Sequence, residues 1–177
     1  MVEFIKGFYL RPVKLSDANA LFEFSKDESV VKYLSWEAHQ TINDTIKVIK
    51  EHYFKNNPIS YVIVDSNDTA IGVIDFNTVT RTTHPEIGYF LNPKYHNKGI
   101  MTNALYKILD IGFNELGYDT IAISHVKEND ASKKVILKNG FKFSRTIKNI
   151  KYKNKKFELL FYEMKGSDFN EQSKRNI

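Results

Sequence analysis

Cysteine is absent from this 177-residue chain, which excludes disulfides, thiolate metal ligands and a cysteine nucleophile, and suits a reducing compartment. Long apolar runs are absent as well. Nothing approaches the roughly 20 residues a bilayer-spanning helix needs, and the segment Met1 to Leu10 breaks its apolar residues with Glu3 and Lys6. Neither a signal segment nor a membrane anchor is expected, and the cytoplasm is the default location. The glycine-rich nucleotide loops G-x-G-x-x-G and G-x-x-x-x-G-K-[ST] are missing, which disfavours Rossmann and P-loop enzymes. His39, His52, His84, His96 and His125 are far apart and lack the i, i+4 pairing of helical zinc ligands, so no metal is expected.

What is present is a composition of 42% hydrophobic and 14% aromatic residues, sufficient for one core. The expected organisation is a single domain over residues 1–166 and a polar, frayed tail over 167–177. The formal charge of +5 favours an anionic partner, but its densest cluster is Lys148, Lys151, Lys153, Lys155 and Lys156 around Asn154. That cluster reads as the solvated tip of a hairpin.

The first predicted strand is Phe8 to Val13, followed by a helix capped by Ser16 with Ala20, Leu21 and Phe24 on one face. After a mixed region with Trp36 and His39, a capping box of Thr41 and Asp44 opens a second helix that runs to Pro58. Ile59–Val64 and Ile71–Phe76 read as a hairpin turned by Asp65-Ser66-Asn67-Asp68, and Ile87–Leu91 as a further strand. Helical spacing from Ile100 to Leu116, closed by Gly117, then leads to a strand at Ile121–Val126. A strand, helix, strand order implies a parallel crossover. A helix from Asn129 to Lys138 and strands at Phe141–Ile147 and Phe157–Met164 complete the reading. The fold class is α+β: a mixed, mostly antiparallel twisted sheet with one central parallel crossover and helices on both faces.

The stretch Asn92 to Ala104 carries the chemistry. Asn92 and Pro93 turn the chain after a strand, and His96-Asn97-Lys98-Gly99-Ile100-Met101-Thr102 opens the central helix. The first turn of a helix has unpaired N–H groups and the positive end of the dipole, so it attracts phosphate. Gly99 there permits close approach of an anion, though a glycine at this place also serves a turn or tight packing.

This segment resembles the pyrophosphate loop of the GNAT superfamily of acetyltransferases, [QR]-x-x-G-x-[GA], with His96 in place of Gln or Arg and Met101 in place of Gly or Ala. Lys98 to Thr102 is similar to the variant of the Rim-type branch, whose members acetylate ribosomal-protein and other N-termini and assorted small amines. Leu10-Arg11-Pro12, Glu86 to Pro93, and Asn129 through Ser132 to Gly140-Phe141 agree with it in order and spacing, so the likeness covers almost the whole chain.

The resemblance implies acetyl-CoA as cosubstrate and direct transfer to a primary amine in a ternary complex. It implies that backbone groups of Phe90 and Leu91 hold the acetyl and pantetheine portions, with the Leu91 amide serving the oxyanion. His96, Asn97, Lys98, Gly99, Ile100, Met101 and Thr102 would hold the pyrophosphate. Glu86 is the implied base, acting through water, with an ordinary strand-end carboxylate as the alternative; Asp75 on the neighbouring strand is in reserve, with a partly exposed alternation as its alternative. Asn129 either caps its helix or bonds the pantetheine arm. The family's helix tyrosine, a general acid toward sulfur, has no counterpart in Asn129–Gly140, leaving Ser132 to hydrogen-bond the thiolate. Tyr33, Trp36 and His39 line the acceptor pocket or pack in the core. The acceptor is a protein N-terminus or a small amine such as an amino acid, polyamine or aminoglycoside.

Two other readings stand beside this one. A non-catalytic acetyl-CoA sensor would explain the missing tyrosine and the loop departures. A basic RNA-binding protein would explain the charge, but no stacking-aromatic signature accompanies it and nucleic acid is not the expected partner. Relatives of this branch often pair, and the aromatic-rich late strands offer a homodimer interface.

Overall fold

The computed structural model of the chain describes residues 1–54, 59–77 and 84–175. Within them, eight strands form one sheet in the order β1-β2-β3-β4-β5-β6-β8-β7. They are β1 (Val2–Ile5), β2 (Phe8–Pro12), β3 (Ser60–Asp65), β4 (Ala70–Asn77), β5 (Glu86–Leu91), β6 (Thr120–Val126), β7 (Lys142–Tyr152) and β8 (Lys155–Lys165). Neighbours run antiparallel except β5 and β6. The helices are α1 (Ala18–Ser25), α2 (Glu28–Val31), α3 (Ile42–Val48), α4 (Ile100–Asp110), α5 (Asp130–Lys138) and α6 (Gly166–Arg175). The expected α+β arrangement, with one parallel crossover through α4, is what the chain adopts.

Period-two alternation along the strands distributes side chains between two cores. Ile63, Ile71, Ile74, Phe76, Ile87, Leu91 and Ile123 pack with Leu105, Ile108 and Leu109 of α4. Val62, Val64 and Val73 point to the opposite face and pack with Leu21 and Phe24 of α1 and with Ile49. Helices therefore cover both faces, as expected.

Local chemistry explains the element boundaries. Asp44 Oδ2 accepts from the amide of Thr41 at 2.8 Å, the predicted capping box of α3. The helix widens into a π-helical segment over Ile49–Phe54, and its predicted end at Pro58 lies outside the described residues. Ser16 does not cap α1. Asp17 serves that turn instead, accepting the Lys14 amide at 2.8 Å while its carboxylate holds buried Arg11 through two bonds of 2.9 and 2.8 Å. This pair ties β2 to the start of α1.

Three elements were not expected. β1 extends the sheet beyond β2, and α2 fills part of the mixed region, capped by Asp27 Oδ1 accepting from the Ser29 amide at 2.8 Å. Residues 167–175 of the expected frayed tail belong to α6, which starts at Gly166. Its Phe169 is 2% exposed and packs at 5.2 Å on Tyr106 and 5.4 Å on Phe113, which anchors an otherwise polar helix.

Candidate active site

The crossover strands part in mid-sheet. β5 and β6 pair at Glu86↔Ala122 and Ile87↔Ile123, and both strands then continue, to Leu91 and Val126, without further pairing to each other. β5 stays paired with β4 through Leu91↔Gly72. A Cβ on Gly72 would sit 2.7 Å from the Phe90 carbonyl oxygen and 2.8 Å from the Leu91 side chain, so glycine lets the end of β5 lie against β4. Backbone N–H groups alternate sides along a strand. The Asn92 amide donates to Ile71 O on the β4 side at 2.8 Å; the Leu91 N–H therefore faces the gap that β6 has vacated.

Beyond β5 the chain turns on Asn92, whose Oδ1 accepts from the Lys94 amide at 3.1 Å. Asn97 and Gly99 adopt left-handed backbone angles, φ 60° and 74°, and α4 begins directly after Gly99. Gly99 supplies no side-chain cap, so the first-turn amides are open to an anion at the positive end of the helix. α5 lies beside this turn, with Asn139 Nδ2 donating to Thr102 O at 3.2 Å. At the other end of α5, Asn129 Oδ1 accepts from the Ser132 amide at 3.1 Å.

A cavity of about 650 Å³ joins the gap to the α4 turn. Of the residues singled out for the coenzyme, it is lined by Phe90, Leu91, His96, Asn97 and Gly99, and by Ile100, Met101, Thr102, Asn129 and Ser132. Lys98 is not among its lining residues and places its Nζ 5.2 Å from the Tyr95 ring centre. His96 lines the cavity and also donates from Nε2 to the Leu91 carbonyl at 2.9 Å, which ties the turn closed.

Sequence reasoning left several cavity residues unassigned, Tyr89 and Lys138 among them. Tyr89, read as core on an apolar strand, lines the gap and bonds Ser132 Oγ at 2.8 Å. Burial pushes its phenol up to about 12. Lys134 and Lys138 also line the cavity. Their i, i+4 spacing, with Val135 between, was the signal that both share one flank of α5.

The opposite face of β5 presents Glu86, Gly88 and Phe90. Phe90 packs 5.8 Å from Phe24 and 5.4 Å from Trp36, and Trp36 lies 5.0 Å from His39. Burial holds His39 below the usual histidine value, and its Nδ1 meets Thr45 Oγ1 at 2.8 Å. Tyr33 lines the cavity, whereas Trp36, His39, Asp75 and Glu86 do not. Asp75 pairs with Gly88 across the strands, with Oδ1 3.1 Å from where a Gly88 Cβ would lie. His52 Nε2 donates to Asp75 Oδ2 at 3.2 Å, and that bond raises the imidazole above its ordinary value. Glu86 Oε1 accepts from Ser124 Oγ at 2.5 Å. Asp75, opposite Gly88, and Glu86, two residues before it, thus lie on the same face of the sheet as Phe90.

The late hairpin reaches this side too. Lys153, expected at a solvated tip, donates from Nζ to Val31 O at 2.6 Å, across 122 positions of sequence. The tip itself turns through Lys153 and Asn154 at positive φ.

Comparison with known proteins agrees with the geometry. The profile of the family described as "Acetyltransferase (GNAT) domain" matches residues 8–142. The uncharacterized N-acetyltransferase YnaD of Bacillus subtilis is 31% identical over 137 residues, covering 77% of this chain and 80% of YnaD. A GNAT-family acetyltransferase from Bacillus anthracis superposes with a TM-score of 0.81 at 24% identity, covering 92% of this chain and 96% of that one. A spermidine N-acetyltransferase from Vibrio cholerae, solved with CoA and spermine, gives a TM-score of 0.81 at 15% identity, covering 94% and 99%.

Proposed function

Because the chain belongs to the GNAT family of N-acetyltransferases, we propose that it uses acetyl-CoA to acetylate a primary amine in a ternary complex, as enzymes of the Rim-type branch do. The observation that carries this reading is the cavity that runs from the parted edge of β5 to the uncapped first turn of α4.

The residues present fit the coenzyme. Positive backbone and lysine groups gather at one end of the cavity, where Gly99, Lys134 and Lys138 are, and suit its phosphates. An open strand edge at the other end suits the amides of a pantetheine arm, and Asn129 adds a side-chain amide beside it. When bound, acetyl-CoA supplies an acyl group activated as a thioester. The Leu91 N–H, directed into the gap, is the donor proposed for the acyl oxygen. Ser132 is the hydroxyl proposed for the sulfur.

Glu86 is the proposed base for the incoming amine, acting through water. Its carboxylate is oriented by Ser124 at 2.5 Å, and it shares a strand face with Phe90, which lines the cavity. Asp75 is the reserve candidate; His52 meets one of its oxygens as Ser124 meets one of Glu86's. The rings of Trp36 and Phe90 form an apolar wall. With the carboxylates of Asp75 and Glu86 they suit a primary amine carried on an uncharged or partly apolar body, such as a protein N-terminus.

Thiol release from acetyl-CoA, measured against Ala- and Ser-initiated peptides, polyamines, amino acids and aminoglycosides, tests the proposal. One amine class should turn over well above the others. Coenzyme binding with no turnover across the panel would instead mark a sensor.

A further inference from the structure

Tyr89 reaches across the gap between β5 and β6 to the first turn of α5. Its hydroxyl lies 2.8 Å from Ser132 Oγ and 3.4 Å from the Ser132 carbonyl oxygen. The second distance is long for an O–H donor, and at the first contact either hydroxyl can donate. Both residues line the same cavity. The Asn129 cap fixes the Ser132 amide and with it the start of the serine side chain.

A hydroxyl that accepts one hydrogen bond becomes a better donor for the next. With Oγ occupied as an acceptor, the serine's own hydrogen is free to turn into the cavity. Resting on the acetyltransferase reading above, we propose that Tyr89 is a positioning residue for the leaving group. Its phenol donates to Ser132 Oγ, and the oriented, polarised serine O–H hydrogen-bonds the coenzyme sulfur.

The balance is complete with the groups named. The amine lone pair forms the C–N bond, the C–S bond breaks with its electron pair on sulfur, and the amine proton passes through water to Glu86. The serine keeps its proton and only donates a hydrogen bond, so its weakness as an acid is no obstacle. A phenol raised to about 12 stays protonated, and so remains a donor, across neutral pH.

The absence of cysteine provides a direct readout. In a complex of the protein with CoA, thiolate absorbance near 240 nm, corrected for phenolate from its separate band near 295 nm, reports the coenzyme thiol alone. The bound thiol should titrate below free CoA. Tyr89→Phe, which keeps the ring and removes the hydroxyl, should raise its pKa by about one unit, a tenfold change in thiolate fraction. Ser132→Ala should raise it at least as far, and the double variant no further, because the two act in series. In turnover, Tyr89→Phe should lower kcat while leaving the KM for acetyl-CoA in place.

An unchanged thiol pKa in Tyr89→Phe, with CoA still bound, would overturn the inference and leave the acetyltransferase reading standing. So would an additive double variant. Failure of the unaltered chain to bind CoA would overturn both.

Discussion

The two sides of the parted strand are built by different means. On the α4 and α5 side, the proposed coenzyme cavity is largely backbone: an uncapped helix turn after Gly99 and an open edge at Leu91, beside a helix flank carrying Lys134 and Lys138. On the α1 and α3 side, the candidate acceptor face is assembled from side-chain pairs distant in sequence, Asp75 with His52, Glu86 with Ser124, and Lys153 with the Val31 carbonyl. A backbone site binds what every family member binds. A side-chain site is free to vary, and the proposal puts acceptor choice there.

The comparison predicts that substitutions on the two sides separate binding from turnover. Glu86→Gln should lower kcat about 100-fold while leaving CoA affinity intact, measured by steady-state kinetics and calorimetry. Equal losses of both would merge the two halves. Gly99→Val forces a branched residue into a left-handed conformation that costs about 1–2 kcal/mol even for ordinary residues. Roughly tenfold weaker CoA binding should follow, read by calorimetry, with little change in acceptor KM. Lys153→Ala removes a charged donor from a backbone carbonyl of α2 and should raise acceptor KM about fivefold without altering CoA affinity.

The smallest effect concerns pH. The Asp75 bond raises the folded pKa of His52 above its unfolded value. The stabilisation is therefore complete below the ordinary histidine value of about 6.5 and is lost as pH rises through the raised folded value. The Tm deficit of His52→Gln should be largest near pH 6 and should shrink on the alkaline side. A deficit constant across that range would mean that the imidazole contributes packing alone.

The same contrast explains what could be read from sequence. The Thr41–Asp44 capping box, the β3–β4 hairpin and the Gly99 loop are local patterns, each carried by residues within a few positions, and the structure contains all three. Partners brought together only by folding left no local sign. His52 and Asp75 are 23 positions apart, Glu86 and Ser124 38, and Tyr89 and Ser132 43. Tyr89 looked like one more apolar strand residue because alternation reports which face a side chain takes, not what its hydroxyl meets. His96 was expected at phosphate by its place before Gly99; its bond to a carbonyl five residues back had no sign in the sequence. α6 was read as a fraying tail because its composition is polar; buried Phe169 and the Asp168–Lys142 pair hold it.

The claim on which the rest depends is that the cavity beside α4 holds acetyl-CoA through phosphate contacts. Calorimetric titration of the unaltered chain with acetyl-CoA, without any amine and at rising salt, addresses it directly. Saturable binding at one site per chain, weakening with salt as screening of the lysines requires, is the expected result. No binding, or binding unaffected by both salt and Gly99→Val, would contradict it.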